Sequence, residues 1–294
     1  MCAKKYITLF FILITTTIAS GQYKIKFTPA WVPQAQFVGY YVAEAKGFYR
    51  DARIVVEYNY PMITHPTGTK LLNGETDAAV LLLPQAVRME AEGHDLVNIL
   101  QTSQRSSFCF VAQPGVKLDS FESLRGKKVG LFKAGLDEIV YYINKKYNLN
   151  IDIIRFDSGI SIYLHKLVDV IITMDYNELI QMKYSGVNLD ECDILRFQNT
   201  EFDIPEDGLY VKRENYDKCP HVFKAFAEAS RKGWEYAAEH PEEATEITMR
   251  HIQLHGYYTS KVIQRAMVNS VVQKLKDRKT NQATFTVNPE DVGS

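Results

Sequence analysis

The chain has 294 residues, 34 of them basic and 35 acidic, for a formal charge of −1, and 46% of its residues are hydrophobic. That apolar content builds a sizeable core, and the length fits one large domain or two ordinary lobes. The near-neutral balance excludes nucleic acid and anionic membrane surfaces as natural partners.

In chain order, residues 1–5 are short and basic, residues 7–18 are apolar and threonine-rich, and Ala19-Ser20-Gly21 supplies small residues. This is the pattern of a cleaved secretory signal over residues 1–21. The apolar run falls short of the roughly 20 residues a bilayer span needs. No cysteine follows the small residues to carry a lipid anchor, so a periplasmic or extracellular chain with a charge of about −3 is expected. Of the cysteines, Cys109, Cys192 and Cys219 are odd in number and far apart. They form neither a disulfide framework nor a metal pattern, and read as buried structural thiols.

Residues 24–28 alternate charged and apolar side chains as a half-buried strand does, before Pro29 and Pro33 punctuate a loop. Phe37, Tyr40, Tyr41 and Ala45 then recur at helical spacing, with Gly47 placed just past the helix end. The loop therefore sits at a helix N-terminus, where Trp31 and Phe37 offer flat walls and free N–H groups face a polar ligand. Next come a strand at 54–58, a helix at 67–72, a strand at 78–80, a helix at 84–91 and a strand at 96–100. Strands alternating with helices in this way predict a mostly parallel sheet covered on both faces.

Pro114-Gly115 marks a break, after which 121–124, 127–132, 136–147, 151–156, 161–167 and 168–173 repeat the alternation as a second lobe. It is expected to end near 203–208, where acidic residues, Pro205 and Gly208 interrupt the pattern. Val222, Phe223, Phe226, Ala227, Ser230 and Trp234 form a helical stripe, Pro241 opens another helix, and 259–275 a third, all expected to pack back on the first lobe. A strand-like stretch follows at 284–287. The expected organisation is thus 22–113 plus 207–294 as the first lobe and 114–206 as the second, hinged about a cleft.

Four segments carry a resemblance: residues 31–49; Leu72-Asn73-Gly74-Glu75-Thr76-Asp77-Ala78-Ala79-Val80; Leu124-Arg125-Gly126-Lys127-Lys128-Val129-Gly130; and Leu167-Val168-Asp169-Val170-Ile171 with Tyr176-Asn177-Glu178. In this order the chain resembles the substrate-binding proteins of sulfonate, nitrate and thiamine-precursor ABC importers, in the branch shared with thiamine-pyrimidine synthase. The resemblance implies an α/β type II periplasmic binding protein fold, with two lobes joined by two crossover segments and the ligand cleft between them. It implies a monomer that needs no cofactor, captures a small heteroaromatic ligand such as a thiamine pyrimidine precursor, and delivers it to an ABC permease. A ligand-sensing module reporting to a membrane partner is the alternative.

Asp175, Tyr176 and Glu178 should emerge at the carboxyl end of a strand, where open α/β sheets hold ligands. In pyrimidine-binding members of the family an acidic residue in this region pairs with the ring, and Glu178 is the first candidate, Asp175 the second. Trp31, Phe37 and Tyr176 are the expected walls; Gln34, Gln85 and Ser103 the further polar contacts; and the backbone at Gly135 faces the cleft. Relatives commonly place Asn where this chain has Gln34, which keeps the amide with a longer reach. By position, the synthase's reactive lysine and histidine correspond to Leu81 and Gln85, which cannot do its chemistry. His251 and His255, four apart on a helix end, read as a surface pair and not a zinc site.

Overall fold

The computed structural model describes residues 21–62, 64–132 and 137–287. The expected signal, apart from Gly21, and the backbone of Gly135 lie outside the described residues. The first part of the chain forms β1 (Tyr23–Thr28), β2 (Ile54–Tyr58), β3 (Ala78–Leu82) and β4 (Leu96–Gln101). Then come β5 (Phe108–Ala112), β6 (Lys128–Phe132), β7 (Asp152–Phe156), β8 (Val170–Met174) and β9 (Ile194–Arg196), before the chain returns with β10 (Asp207–Lys212). Hydrogen bonding sorts them into two five-stranded sheets, ordered β2-β1-β3-β10-β4 and β7-β6-β8-β5-β9.

Both sheets are mixed, where mostly parallel ones were expected. β1 runs parallel to β2 and β3, and β6 runs parallel to β7 and β8. β10 is antiparallel to β3 and β4, as β5 is to β8 and β9. The physical reason is direction of entry. A strand reached through a helix starts at the end of the sheet far from the cleft, as a parallel crossover requires. β5 and β10 arrive straight from the other lobe and start at the cleft end.

β5 belongs to the second sheet, so the outgoing crossover is residues 102–107 and the expected boundary after 113 is corrected. β5 escapes notice in the sequence because all five residues are buried, leaving no alternation to read. Gly208 is the second residue of the returning strand. It lies inside β10, where an added Cβ would meet Asn98 Nδ2 at 2.5 Å and Gln101 Oε1 at 2.6 Å. The stretch 284–287 is not a strand; it follows an isolated bridge between Lys276 and Ala283, and Phe285 O accepts from Gln101 N at 2.9 Å.

The C-terminal helices pack on the first sheet as expected. Val222, Phe223, Phe226, Ala227 and Trp234 join Ile25, Phe27 and Tyr40 in one core with Met267, Val268 and Leu275. The helix Pro220–Glu239 crosses the helix Val38–Ala45 at backbone contact: a Cβ on Gly233 would lie 2.0 Å from Gly39 O. That contact anchors the helix directly behind the loop at 29–34. In the second lobe, Phe108, Phe110, Phe121, Leu131 and Phe197 fill one face of the sheet, while Cys109, Val111, Ile171 and Met182 fill the other. Cys109 and Cys192 are buried thiols as expected, but Cys219 is half-exposed. Among the described residues no helix is long and apolar enough to cross a membrane.

Candidate ligand-binding site

The loop after β1 is held at both ends. Thr67 Oγ1 donates to Pro29 O at 2.9 Å, and Ala35 N donates to Gln264 Oε1 at 2.7 Å. Between these pins the loop and the turn that follows place Ala30, Trp31, Gln34 and Gln36 on one wall of a cavity of about 80 Å³, with Leu82 from the end of β3. The opposite wall comes from the second lobe: Phe132 ends β6, Met174 ends β8, and Tyr176, Asn177 and Glu178 follow it. Both walls are therefore built at the carboxyl ends of parallel strands, where such sheets hold ligands. Eighty cubic ångströms is the share of about two or three liquid waters.

The polar groups form two chains of oriented amides. In the second lobe, Gln181 Nε2 donates to Asn177 Oδ1 at 2.7 Å, and Asn177 Nδ2 donates to Glu178 Oε1 at 2.7 Å. Glu178 Oε2 accepts from Met174 N at 2.9 Å. Burial pushes the Glu178 carboxyl up to about 7, against the lowering effect of the backbone donors. In the first lobe, Gln34 Nε2 donates to Gln36 Oε1 at 2.7 Å, and Gln36 Nε2 donates to Asp207 Oδ2 at 2.8 Å. Asp207 is pushed up to about 6 by burial, and its Oδ1 is buried without a partner among the described residues.

Trp31, Gln34, Tyr176 and Glu178 thus meet at one cavity. The other expected site residues do not. Phe37 is fully buried in the first-lobe core, because it opens the helix and turns its ring inward. Gln85 lies against Gly68 on the helix Thr67–Leu72. Ser103 sits in the crossover, with Oγ donating to Arg105 O at 2.9 Å. Asp175 faces a different space, and Gly135 lies outside the described residues. Leu82, Phe132 and Met174 were missed although each is the last residue of its strand, a position that strand ends alone could have flagged. Gln36 and Asn177 were missed beside residues already chosen.

The space at Asp175 is larger, about 350 Å³, and is lined by Arg105, Arg196, Gln198 and Lys274 but by no aromatic ring among the described residues. It is the weaker candidate because most of its charge is already spent inside the protein. Lys274 Nζ lies 2.5 Å from Asp175 Oδ2, and Arg105 Nη2 reaches Asn199 Oδ1 at 2.9 Å and Asp203 Oδ2 at 3.4 Å.

The histidine pair needs a correction. His251 is buried, its ring stacked on Tyr41 at 3.8 Å and its Nε2 bonded to the Tyr60 hydroxyl at 2.7 Å. Burial pushes it down to about 3. Only His255 is exposed, and among the described residues no group of three or more His, Cys, Asp or Glu side chains is placed to hold a metal.

A family model described as NMT1/THI5 like matches residues 34–244. The chain is 26% identical over 238 residues to the riboflavin-binding protein RibY of Chloroflexus aurantiacus, covering 76% of this chain. The match spans 65% of that relative's own length, less than two thirds. Identity is 22% over 243 residues with the 4-amino-5-hydroxymethyl-2-methylpyrimidine phosphate synthase of Candida albicans, over 75% of this chain and 69% of the relative. It is 22% over 260 residues with the formylaminopyrimidine-binding protein of Halalkalibacterium halodurans, over 84% and 76%. Among solved structures, the periplasmic aliphatic sulphonate binding protein SsuA from Escherichia coli superimposes with a TM-score of 0.66 at 13% identity, covering 92% of this chain and 88% of that one. The shared feature is the fold, a two-lobed periplasmic binding architecture.

Proposed function

The chain belongs to the NMT1/THI5-like family, and from that membership we propose that it is a non-enzymatic, extracytoplasmic solute-binding protein that captures an aminopyrimidine for an ABC-type permease. The observation that carries this reading is the chemistry of the cavity wall. Glu178 is a buried carboxylate among the rings of Trp31, Phe132 and Tyr176, and no Lys, Arg or His lines the cavity among the described residues. A carboxylate accepts from an exocyclic amine and from a protonated ring nitrogen, a charge-assisted pairing, while the rings stack on a flat heterocycle. A sulfonate would instead meet the Glu178 charge with no cation to offset its desolvation. Two relatives carry pyrimidine compounds in their names, which supports the same choice.

A binding role also fits the positions where the resemblance puts the synthase's reactive groups. Leu81 is a fully buried apolar side chain in β3, and Gln85 does not line the cavity. The test is thermal unfolding of residues 22–294 with 4-amino-5-hydroxymethyl-2-methylpyrimidine, its formylated relatives, riboflavin and an alkanesulfonate. A ligand at a thousand times its dissociation constant stabilises the folded state by about 4 kcal/mol. A midpoint shift with the aminopyrimidines is expected. A shift with the sulfonate or riboflavin and none with the pyrimidines would overturn the ligand.

A further inference from the structure

We propose that Asp207, which does not line the cavity, selects for ligands whose facing edge carries N–H donors, by fixing through Gln36 which way the Gln34 amide points. The inference rests on the cavity being the ligand site, and it adds two positioning residues, Gln36 on the wall and Asp207 behind it.

The argument starts from what each group is able to do. An ionised carboxylate only accepts, so the Gln36 atom 2.8 Å from Asp207 Oδ2 is its NH₂. Gln36 is then left with its carbonyl oxygen toward Gln34, so the Gln34 atom 2.7 Å away is in turn an NH₂. One carboxylate at the far end thus removes the twofold ambiguity of both amides. The Gln34 carbonyl oxygen receives no hydrogen bond among the described residues and is not among the buried unpartnered atoms, so it is free to accept at the cavity. Because its own N–H groups donate along a chain ending in a negative charge, that oxygen becomes a better acceptor.

The second lobe repeats the logic. Gln181 and Asn177 both point their NH₂ groups toward Glu178, so neither competes with a ligand as an acceptor, and Glu178 faces the cavity as the acceptor at the chain's end. The two walls therefore offer acceptor oxygens from both lobes. A ligand edge built of an exocyclic amine next to a ring N–H satisfies them. The same ring with a carbonyl in place of the amine sets oxygen against oxygen.

The experiment compares two probes, 4-amino-5-hydroxymethyl-2-methylpyrimidine and its analogue with a 4-oxo group, by isothermal titration at pH 8 on the wild type, Asp207→Asn and Gln36→Leu. The wild type is expected to prefer the amino probe. Asp207→Asn, which lets the Gln36 amide turn over, should lower that preference by about tenfold, as should Gln36→Leu, which cuts the chain while leaving the Asp207 residue in place. Unfolding midpoints of both variants show whether each folds, and the ratio of two affinities on one folded protein is insensitive to a general loss of stability. A wild type that binds neither probe overturns the aminopyrimidine reading itself. A wild type that prefers the amino probe, with the same ratio in a folded variant, overturns the role of Asp207.

Discussion

The Lys274 ammonium lies 2.5 Å from Asp175 Oδ2, with only 8% and 15% of the two side chains exposed. Lys274 closes the last turn behind the helix Lys261–Val271, and Asp175 directly follows β8, so the pair joins the C-terminal helices of the first lobe to the second sheet. Asp175 is thereby committed to a partner within the protein and does not line the cavity at Glu178. Removing one partner leaves the other charge buried alone, at a cost of about 3 to 5 kcal/mol. Lys274→Met should lower the unfolding free energy by that order in urea titration, and adding Asp175→Leu should recover most of the loss. A Lys274→Met protein as stable as the wild type would refute the pairing.

Glu178→Gln should weaken aminopyrimidine binding by about 1.5 to 3 kcal/mol, the scale of a hydrogen bond to a charged group. The same change removes a buried charge, so the ligand-free variant should be at least as stable as the wild type at pH 8. Titration calorimetry and thermal unfolding on one preparation check both halves. Unchanged affinity would exclude Glu178 as the ring's partner.

Trp31 and Phe37 look alike in the sequence and should behave oppositely. Trp31→Ala removes a stacking wall and should cost about 1 to 3 kcal/mol of ligand affinity, the range of base–aromatic stacking, with little change in unfolding. Phe37→Ala opens a cavity in the first-lobe core and should cost about 3 to 5 kcal/mol of stability. Urea unfolding and a binding isotherm separate the two; equal effects on both quantities would contradict their placement.

Stability should peak at about pH 4.5 and fall from there toward pH 8. The folded-state pKa of Glu178 is raised to about 7 and that of Glu206 to about 8, each chiefly by burial, from ordinary values near 4.5. Both carboxyls hold protons in the folded state that the unfolded chain has released, so their contribution is complete below about pH 4.5 and is lost as pH rises through 7 and 8. His251 works the other way. It is pushed down to about 3, so the unfolded chain binds a proton the folded state refuses, and stability is lost as pH falls below about 6.5. Each group contributes a slope of about 1.4 kcal/mol per pH unit between its two pKa values. Unfolding free energies should rise from about pH 3 to about pH 4.5 and fall from there to about pH 8, and Glu206→Gln should make the fall shallower. A steady rise from pH 6.5 to 8.5 would count against this assignment.

Much of the architecture was legible because most strands alternate or end at clear turns. Ile25 and Phe27 are buried between exposed Lys24 and Lys26, and that period of two is visible in one dimension. β5 was not legible, since Phe-Cys-Phe-Val-Ala is buried on both faces and has no period. The site was half legible for a related reason. Trp31, Gln34, Tyr176 and Glu178 sit where strand ends and loops point, which order along the chain reveals. Whether Asp175 or Glu178 faces the cavity is decided by Lys274, 99 residues away, and the orientation of Gln36 is decided by Asp207, 171 residues away. Nothing local encodes those partners.

The position of β10 also sets a schedule for biosynthesis. It lies between β3 and β4 in the finished sheet, yet Asp207 leaves the ribosome 106 residues after Gln101, its neighbour there. The strands of the second sheet are made in one uninterrupted stretch before it, so that lobe is complete while β3 and β4 still carry open edges. An open edge is a template for strand addition by any neighbouring chain. A nascent chain halted between β9 and β10 is therefore a finished half beside an adhesive one, the interval in which a growing polypeptide most needs a chaperone's cover.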